Sequence, residues 1–407
     1  MTAVSTRTMG ITVDKHDSGE AVATRIRGAR ESAKLTQAQA AAELGISRPT
    51  LISMEKGTRP VSPAELVKLA ELYRQDVATL LRPSQPPASI RAKFRTGLMT
   101  SPNEGDLADA VDELELFADN YLDLLRRSQV RLPGRPPAVR PNDYLGPEQA
   151  GEALANEERN RLGLGDGPIQ QLREVLEVEV GLRIFFLDLP SKIAGLFIQV
   201  EPLGGCVGVN RNHPPQRRRW TMAHEYAHYL ASRDRPEITR LGAGRINDTE
   251  RLAEAFAGNF LMPRNGIVRR FHELKQDTGG KATPATLVQL AHTYRVSVQA
   301  LCLRLEDLEL IKPGTWDRLK DHNFQPRAAA DLLNLSPFPD SGAPLPYHYR
   351  TLATQLFIDG EITETQFAKY LDMSVVDARK EFLNLTSTPD VGDDGQPQIV
   401  DLLDSVE

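Results

Sequence analysis

The chain has 407 residues, 40% of them hydrophobic and 26% charged, and a net charge of −6 at pH 7. That length exceeds what one hydrophobic core usually serves, and the composition is that of a globular multidomain protein, not a fibrous or disordered one. No apolar run is long enough to cross a bilayer, the first 20 residues lack the apolar stretch of a signal peptide, and Cys206 and Cys302 are too few for a disulfide framework or a cysteine zinc site, so the expected setting is cytoplasmic with no membrane partner.

Residues 1–20 read as a flexible start. A helix opens near Arg25-Ile26-Arg27, Thr36 caps a short helix that Gly45 stops, and Ser47 starts another helix running to about Glu55. Lys56-Gly57-Thr58-Arg59-Pro60 breaks that helix, and Pro63 to Leu72 forms the next. Ala41, Leu44, Ile46, Leu51, Met54, Leu66, Leu69 and Ala70 are expected to be core. Between residues 20 and 82 ten Lys and Arg stand against seven Asp and Glu, a local +3 on a chain at −6, which suits a surface that meets a polyanion. The pattern LTQxxxAxxxGxSRxTxxxxExG, from Leu35 to Gly57, resembles the Xre/Cro family of helix-turn-helix DNA-binding domains over about the first fifth of the chain. The resemblance implies a domain over 21–82 that binds a double-stranded DNA operator. The helix beginning at Ser47 would enter the major groove, with Arg48, Thr50 and Ser53 facing bases and Thr36, Gln37 and Arg59 at phosphates.

Residues 83–146 read as a linker. Arg82-Pro83-Ser84-Gln85-Pro86-Pro87 looks like a hinge, and Asp106 to Arg127 forms an amphipathic helix with Leu107, Val111, Leu114, Leu116, Phe117, Tyr121, Leu124 and Leu125 on one broad face. That face either packs within the chain or pairs with its copy in a homodimer. A second Pro-rich stretch covers 132–141, and Pro147 begins the helices of the next domain.

Within 147–312, residues 195–201 and 206–210 read as two short strands joined by a turn at 202–205, and Arg217 to Leu230 as a helix. That helix carries His224-Glu225-Tyr226-Ala227-His228. Two histidines four apart share a helix face and can grip one metal ion, while the glutamate between them reaches the water such an ion would activate. On this composition an HExxH sequence arises by chance in about one chain in a hundred, so its surroundings must decide. A catalytic zinc takes three protein ligands and keeps one position open. The following helix, Asp248 to Pro263, offers Glu250 and Glu254, which lie four apart on one face, whereas Asp248 lies off it. Spacing does not separate those two. Strand 195–201, if an edge, could receive an extended substrate peptide. Tyr226 and Tyr229 are candidate substrate contacts, although a tyrosine on a core helix is more often packed. His213, His272, His292, His322 and His348 lack local ligand partners and read as ordinary placements.

Arg219-Trp220-Thr221-Met222-Ala223-His224-Glu225-Tyr226-Ala227-His228-Tyr229, followed by Glu250-Arg251-Leu252-Ala253-Glu254-Ala255-Phe256-Ala257 and Leu261-Met262-Pro263, resembles the ImmA/IrrE family of bacterial metallopeptidases. With the flanks at 167–190 and 294–305, the likeness spans about half the chain. It implies a zincin-like fold and Zn²⁺ held by His224, His228 and Glu250. It also implies Glu225 as general base, and Glu254, where the family usually has Asn, as the carboxylate orienting a zinc-bound histidine.

Lys312-Pro313-Gly314 closes that region. Residues 313–385 read as a helical extension with a Pro-rich connector at 336–346 and two helices between Tyr347 and Leu385. The second begins with a Thr cap at 363 that echoes Leu35-Thr36-Gln37 but lacks base-reading residues, so a structural or dimerising role is expected. Residues 386–407 form an acidic tail. The expected fold class is mainly α with a small β-sheet (α+β). The expected protein is a DNA-binding regulator whose zinc endopeptidase domain cuts a repressor or another regulatory protein on a signal. Two alternatives are a non-proteolytic transcription factor or antitoxin-like regulator that uses the peptidase fold as scaffold or sensor, and a peptidase that uses DNA only to find its substrate.

Overall fold

The computed structural model describes residues 17–33, 35–73, 104–130, 144–233, 235–242, 247–338 and 342–386, with Val77, Leu80, Ile90, Phe94, Leu132 and the strand pair 390–391 and 397–398. The expected flexible start, the hinge at 82–87, most of the second Pro-rich stretch and most of the acidic tail lie outside the described residues. The chain divides into two compact units, 1–89 and 90–407.

Among the described residues the first unit holds only helices: α1 (Asp17–Ser32), α2 (Gln37–Leu44), α3 (Arg48–Glu55) and α4 (Pro63–Leu72). Its core holds Ile26, Ala40, Leu51, Met54, Leu69 and Tyr73, with Leu44 and Ile46 only partly buried against it. Fully burying a side chain such as Leu51 contributes about 1.5–3 kcal/mol. A polar clamp crosses this core. Arg30 donates to both carboxylate oxygens of the buried Glu55 at 2.6 and 3.2 Å and to the Leu35 carbonyl at 2.8 Å, while the Gln37 amide adds a 2.9 Å bond to Glu55. The clamp therefore ties α1, the start of α2 and the end of α3 together.

The turn between α2 and α3 follows from three residues. Gly45 takes a left-handed φ of 65°, cheap only without a Cβ, which lets the Ile46 N–H return to the Ala41 carbonyl at 3.0 Å. Ser47 then caps α3 by accepting from the Thr50 N–H at 3.2 Å.

The second unit is built on a four-stranded mixed sheet. Its elements are α5 (Glu104–Ser128), α6 (Pro147–Arg161), a helical segment Leu172–Glu174 that continues as a π-helical turn over Val175–Val180, β1 (Arg183–Leu187), β2 (Ile193–Val200), β3 (Gly204–Asn210), α7 (Pro215–Ala231), β4 (Glu237–Arg240) and α8 (Asp248–Leu261). There follow α9 (Arg264–Asp277), α10 (Pro284–Tyr294), α11 (Val298–Asp307), α12 (Thr315–Asp321), α13 (Pro326–Leu332), α14 (Tyr347–Ile358), α15 (Glu364–Leu371), α16 (Val375–Thr386) and a short ribbon of β5 (Asp390–Val391) and β6 (Pro397–Gln398). The order across the sheet is β1-β3-β2-β4, with β1 parallel to β3 and the other pairs antiparallel.

Both faces of the sheet are covered, which is why β1 and β2 read as nearly continuous apolar runs rather than alternating ones. Ile184, Phe186, Phe197 and Val207 face one core with α7, α8, α10 and α11. Phe185, Leu187, Leu196 and Ile198 face a second core with α5 and the helices α14 and α15. The apolar face of α5 is therefore consumed within its own chain: Leu107, Val111, Leu114, Phe117, Tyr121, Leu124 and Leu125 are buried there, whereas Leu116, expected on the same face, points out and is exposed.

Two expectations change here. Strand 195–201 is not an edge: β2 lies between β3 and β4, because Glu237-Ile238-Thr239-Arg240, too short to stand out in the sequence, pairs along it and becomes the edge. Residues 347–385 hold three helices rather than two, since Asp372 adopts φ 54° and breaks the stretch that periodicity alone runs together. The break repeats the earlier turn. The Met373 N–H bonds the Ala368 carbonyl at 3.1 Å and Ser374 accepts from the Asp377 N–H at 3.1 Å. A third instance joins α10 to α11, with Arg295 at φ 53°, Val296 bonded to Ala291 at 3.0 Å and Ser297 capping Ala300 at 3.1 Å.

Candidate metal centre and DNA-facing helix

Helix α7 crosses the sheet with its middle entirely buried: from Thr221 to Leu230 every residue is in the core. That burial brings His224 and His228 inward, one turn apart, at 1% and 0% exposure. Glu250 reaches them from the first turn of α8, whose start is set by Asn247 accepting the Glu250 N–H at 2.8 Å. The two histidine Nε2 atoms lie 3.1 Å apart. Glu250 Oε2 is 3.3 Å from His224 Nε2, and Oε1 is 3.3 Å from His228 Nε2.

These separations test whether a metal fits. A tetrahedral zinc with bonds of about 2.0–2.1 Å places its ligand atoms roughly 3.3 Å apart. The three side chains match that triangle, and among the described residues they form the cluster whose donor atoms all lie within 4.8 Å of one another. Without an ion, burial works against a charged His224, but the carboxylates of Glu250 and Glu254 outweigh it and hold the imidazole up to about 10. Burial likewise pushes the Glu250 carboxyl upward, and the hydrogen bonds from His224 and His228 outweigh it and hold the group well below the usual carboxylate range. A divalent cation suits a site that already gathers this much negative charge.

Glu254, one turn along α8, sits 3.4 Å from His224 Nδ1, and the Trp220 indole N–H donates to its other oxygen at 3.0 Å. Geometry thus separates the two glutamates that spacing left equivalent: Glu250 meets both Nε2 atoms, while Glu254 meets the far nitrogen of one ring.

Glu225, next to His224 on α7, reaches Thr239 and Gly195 of the sheet and is fully buried. The Thr239 hydroxyl donates to its Oε1 at 2.7 Å, whereas Oε2 has no hydrogen-bond partner among the described residues. Burial pushes this carboxyl up, with His228 and His224 opposing. Its room depends on Gly195 of β2: a Cβ there would come within 2.6 Å of Glu225 Oε1 and of Thr221 Cγ2. Gly195→Ala is therefore expected to displace Glu225 and to cut any Glu225-dependent hydrolysis by at least about tenfold. Bound metal should stay unchanged, and metal content measured beside turnover checks this. Gly195 and Thr239 were not singled out from sequence; a glycine inside an apolar strand was the available signal for the first.

Tyr226 and Tyr229 belong to the core. The Tyr226 hydroxyl is held by Glu158, itself bound by Arg161, and Tyr229 packs its ring against Phe197. Among the other histidines, His348 bonds the Tyr121 hydroxyl, and His213 and His292 bond backbone carbonyls. Both cysteines are buried, and neither forms a disulfide. Beside the metal centre opens a cleft of about 980 Å³, reached by Trp220, Thr221, His224, Thr239, Leu241 and Glu254.

In the first unit Ser47, Arg48 and Thr50 stand together at the start of α3. Arg48 is exposed and has no partner among the described residues. The Thr50 hydroxyl lies 2.8 Å from that of Ser47, and the Ser53 hydroxyl bonds the Pro49 carbonyl. Thr36 is exposed and caps α2. Gln37 donates to Glu55 and Arg59 to Glu65 at 2.8 Å, so both side chains already have protein partners.

A capped helix pair with a free arginine at the head of its second helix, joined to an α/β unit with a His-His-Glu cluster, defines a regulator carrying a peptidase-family domain. Comparison with known proteins gives the particulars. Residues 26–80 match the helix-turn-helix family, and residues 178–306 match the IrrE N-terminal-like domain of peptidase family M78. The chain is a fusion of these two domains. Among solved structures, the apo form of the competence regulator ComR from Streptococcus vestibularis matches at 14% identity over 84% of this chain and 99% of that chain, with a TM-score of 0.15. No curated protein matches the chain. No helix among the described residues is long and apolar enough to cross a membrane.

Proposed function

We propose that this chain binds double-stranded DNA through α3 and hydrolyses a peptide bond in a regulatory protein, a repressor or a copy of itself, at a zinc site held by His224, His228 and Glu250. The observation that carries this reading is the convergence of two histidine Nε2 atoms 3.1 Å apart, each 3.3 Å from one oxygen of Glu250, with the buried Glu225 beside them on the histidines' helix. Zinc, when bound, supplies Lewis acidity, acidifying water and polarising a carbonyl. Glu225 takes the water proton and returns it to the departing amine, steadied by the Thr239 hydroxyl. Glu254 fixes the ring of His224, and Trp220 fixes Glu254. An extended substrate pairs with the outer edge of β4, the role β2 cannot take. Zinc analysis of the purified full chain is the first test: absence of stoichiometric metal, or its retention after His228→Ala, would overturn the site. The expected compartment is the cytoplasm, where operator and substrate meet.

On DNA, Arg48 is assigned to a guanine edge, with Thr50 and Ser53 beside it and Thr36, Gln37, Ser47 and Arg59 along the backbone. Arg48→Ala is expected to cost about 1–3 kcal/mol of operator affinity and to relax specificity at one base pair. Binding to a selected operator and to its single-base variants measures both; unchanged discrimination would remove Arg48 from that role. A homodimer reading two half-sites has to pair through a surface other than the apolar face of α5, which is already buried.

A second reading keeps the DNA-binding unit and replaces hydrolysis by ligand sensing in the 980 Å³ cleft. It draws support from Tyr226 and Tyr229, both buried and bonded or stacked inward, so neither can serve as an oxyanion donor.

A further inference from the structure

We propose that Glu237, on the edge strand β4, is a specificity-determining carboxylate that recognises a cationic group of the substrate peptide, an ammonium or guanidinium, beside the scissile bond. The inference rests on the peptidase reading of the same centre and adds to it the chemistry of the substrate. The strand register sets the geometry. Glu237 pairs with Phe197 and Thr239 with Gly195, and residues two apart on a strand point to the same side, about 7 Å apart. Thr239 donates to Glu225 on the α7 side of the sheet, whereas the intervening Ile238 packs into the opposite core. Glu237 therefore faces α7, one strand repeat from the general base, opposite a phenylalanine that packs on Tyr229.

At that place a glutamate needs a counter-charge. It is half-buried, and among the described residues its carboxylate has neither a hydrogen bond nor an ion pair. Burial pushes its carboxyl up and Glu250 adds to the rise, while the charges of His228, Arg235 and His224 oppose it without overcoming it. A half-buried carboxylate that no donor bonds is a cost to the fold, since the nearby charges of His228, Arg235 and His224 offset its desolvation only in part. The cost is removed when a cation arrives, and an extended peptide laid along the β4 edge passes this point. The 980 Å³ cleft opens toward Thr239 and Leu241, away from Glu237. The two sides of the scissile bond thus meet different surroundings: a roomy cleft on one, a single acidic contact on the other.

Binding, not turnover, tests this. Zinc-loaded full-length Glu225→Gln protein is titrated by fluorescence anisotropy with N-acetylated hexapeptides carrying one lysine at each position in turn, with lysine-free acetylated controls, and with lysine-free peptides bearing a free amino terminus. Tighter binding at one lysine position assigns the contact to a side chain, and tighter binding of the free-amine peptides assigns it to the chain terminus. In either case Glu237→Gln, added to Glu225→Gln, should abolish the preference, a loss of about tenfold, and leave zinc stoichiometry and the lysine-free acetylated peptides unchanged. Equal binding of cationic and neutral peptides, no binding of any of them, or a preference that survives Glu237→Gln would overturn the proposal. So would weakened zinc binding in Glu237→Gln, which would make Glu237 a metal ligand. A chain that shows the preference but never cleaves would sink the peptidase reading alone; one that cleaves without the preference would sink this inference alone.

Discussion

Glu225→Gln is expected to abolish peptide hydrolysis, by a factor on the order of 10²–10⁴, without releasing metal or unfolding the protein. The contrast rests on where the side chain sits. Glu225 is fully buried, yet it is not among the three residues whose donor atoms converge, and its contact is the Thr239 hydroxyl. Glutamine has the same shape and keeps an oxygen that can accept from Thr239, so the packing against Gly195 survives. What it loses is the capacity to take up and return a proton. Incubating the variant and the parent chain with cellular extract, and comparing which regulatory protein is shortened, provides the measurement. A product that appears equally with both would mean that the chain is not the protease; a variant stripped of zinc would mean that Glu225 supports the metal instead.

Glu55→Ala should be the most destabilising single change in the first unit, costing roughly 3–5 kcal/mol. Removing the carboxylate leaves the Arg30 guanidinium at 9% side-chain exposure without its partner and also frees the Gln37 amide. A domain is stable by only about 5–15 kcal/mol, so this loss removes a large share of the unit's stability. Chemical denaturation followed by circular dichroism measures the loss, and operator binding should fall with it while zinc content holds. Replacing Arg30 and Glu55 together by Met and Leu should recover most of the stability, because an apolar pair avoids the desolvation that the ion pair must offset. A single Glu55→Ala that costs under about 1 kcal/mol would mean that the clamp is not needed to hold the three helices.

How much of this could be read before the structure depended on the range of the forces involved. Caps and stops are local, so α2, α3 and α4 and the roles of Thr36, Gly45 and Ser47 were legible residue by residue. The two histidines and Glu225 were legible for the same reason, being one helix apart from nothing but themselves. The choice between Glu250 and Glu254 was not, because it depends on how α8 docks on α7, a packing result that spacing along one helix does not contain. Strand β1 and strand β4 were missed. The first runs apolar from Ile184 to Leu187 because both faces are covered, and the second is four residues long and shows its alternation only beside β2. Gly195 and Glu237 became visible only with that pairing.

The left-handed residue, the backward backbone bond to an alanine and the serine cap recur at 45–47, 295–297 and 372–374 with bonds of 3.0–3.2 Å. The same corner therefore serves three times as a joint between helices, and only the first puts an arginine at the head of the helix that follows; the other two put Val298 and Val375 there. In this chain the joint is carpentry, and what sets its three uses apart is the first side chain hung on it.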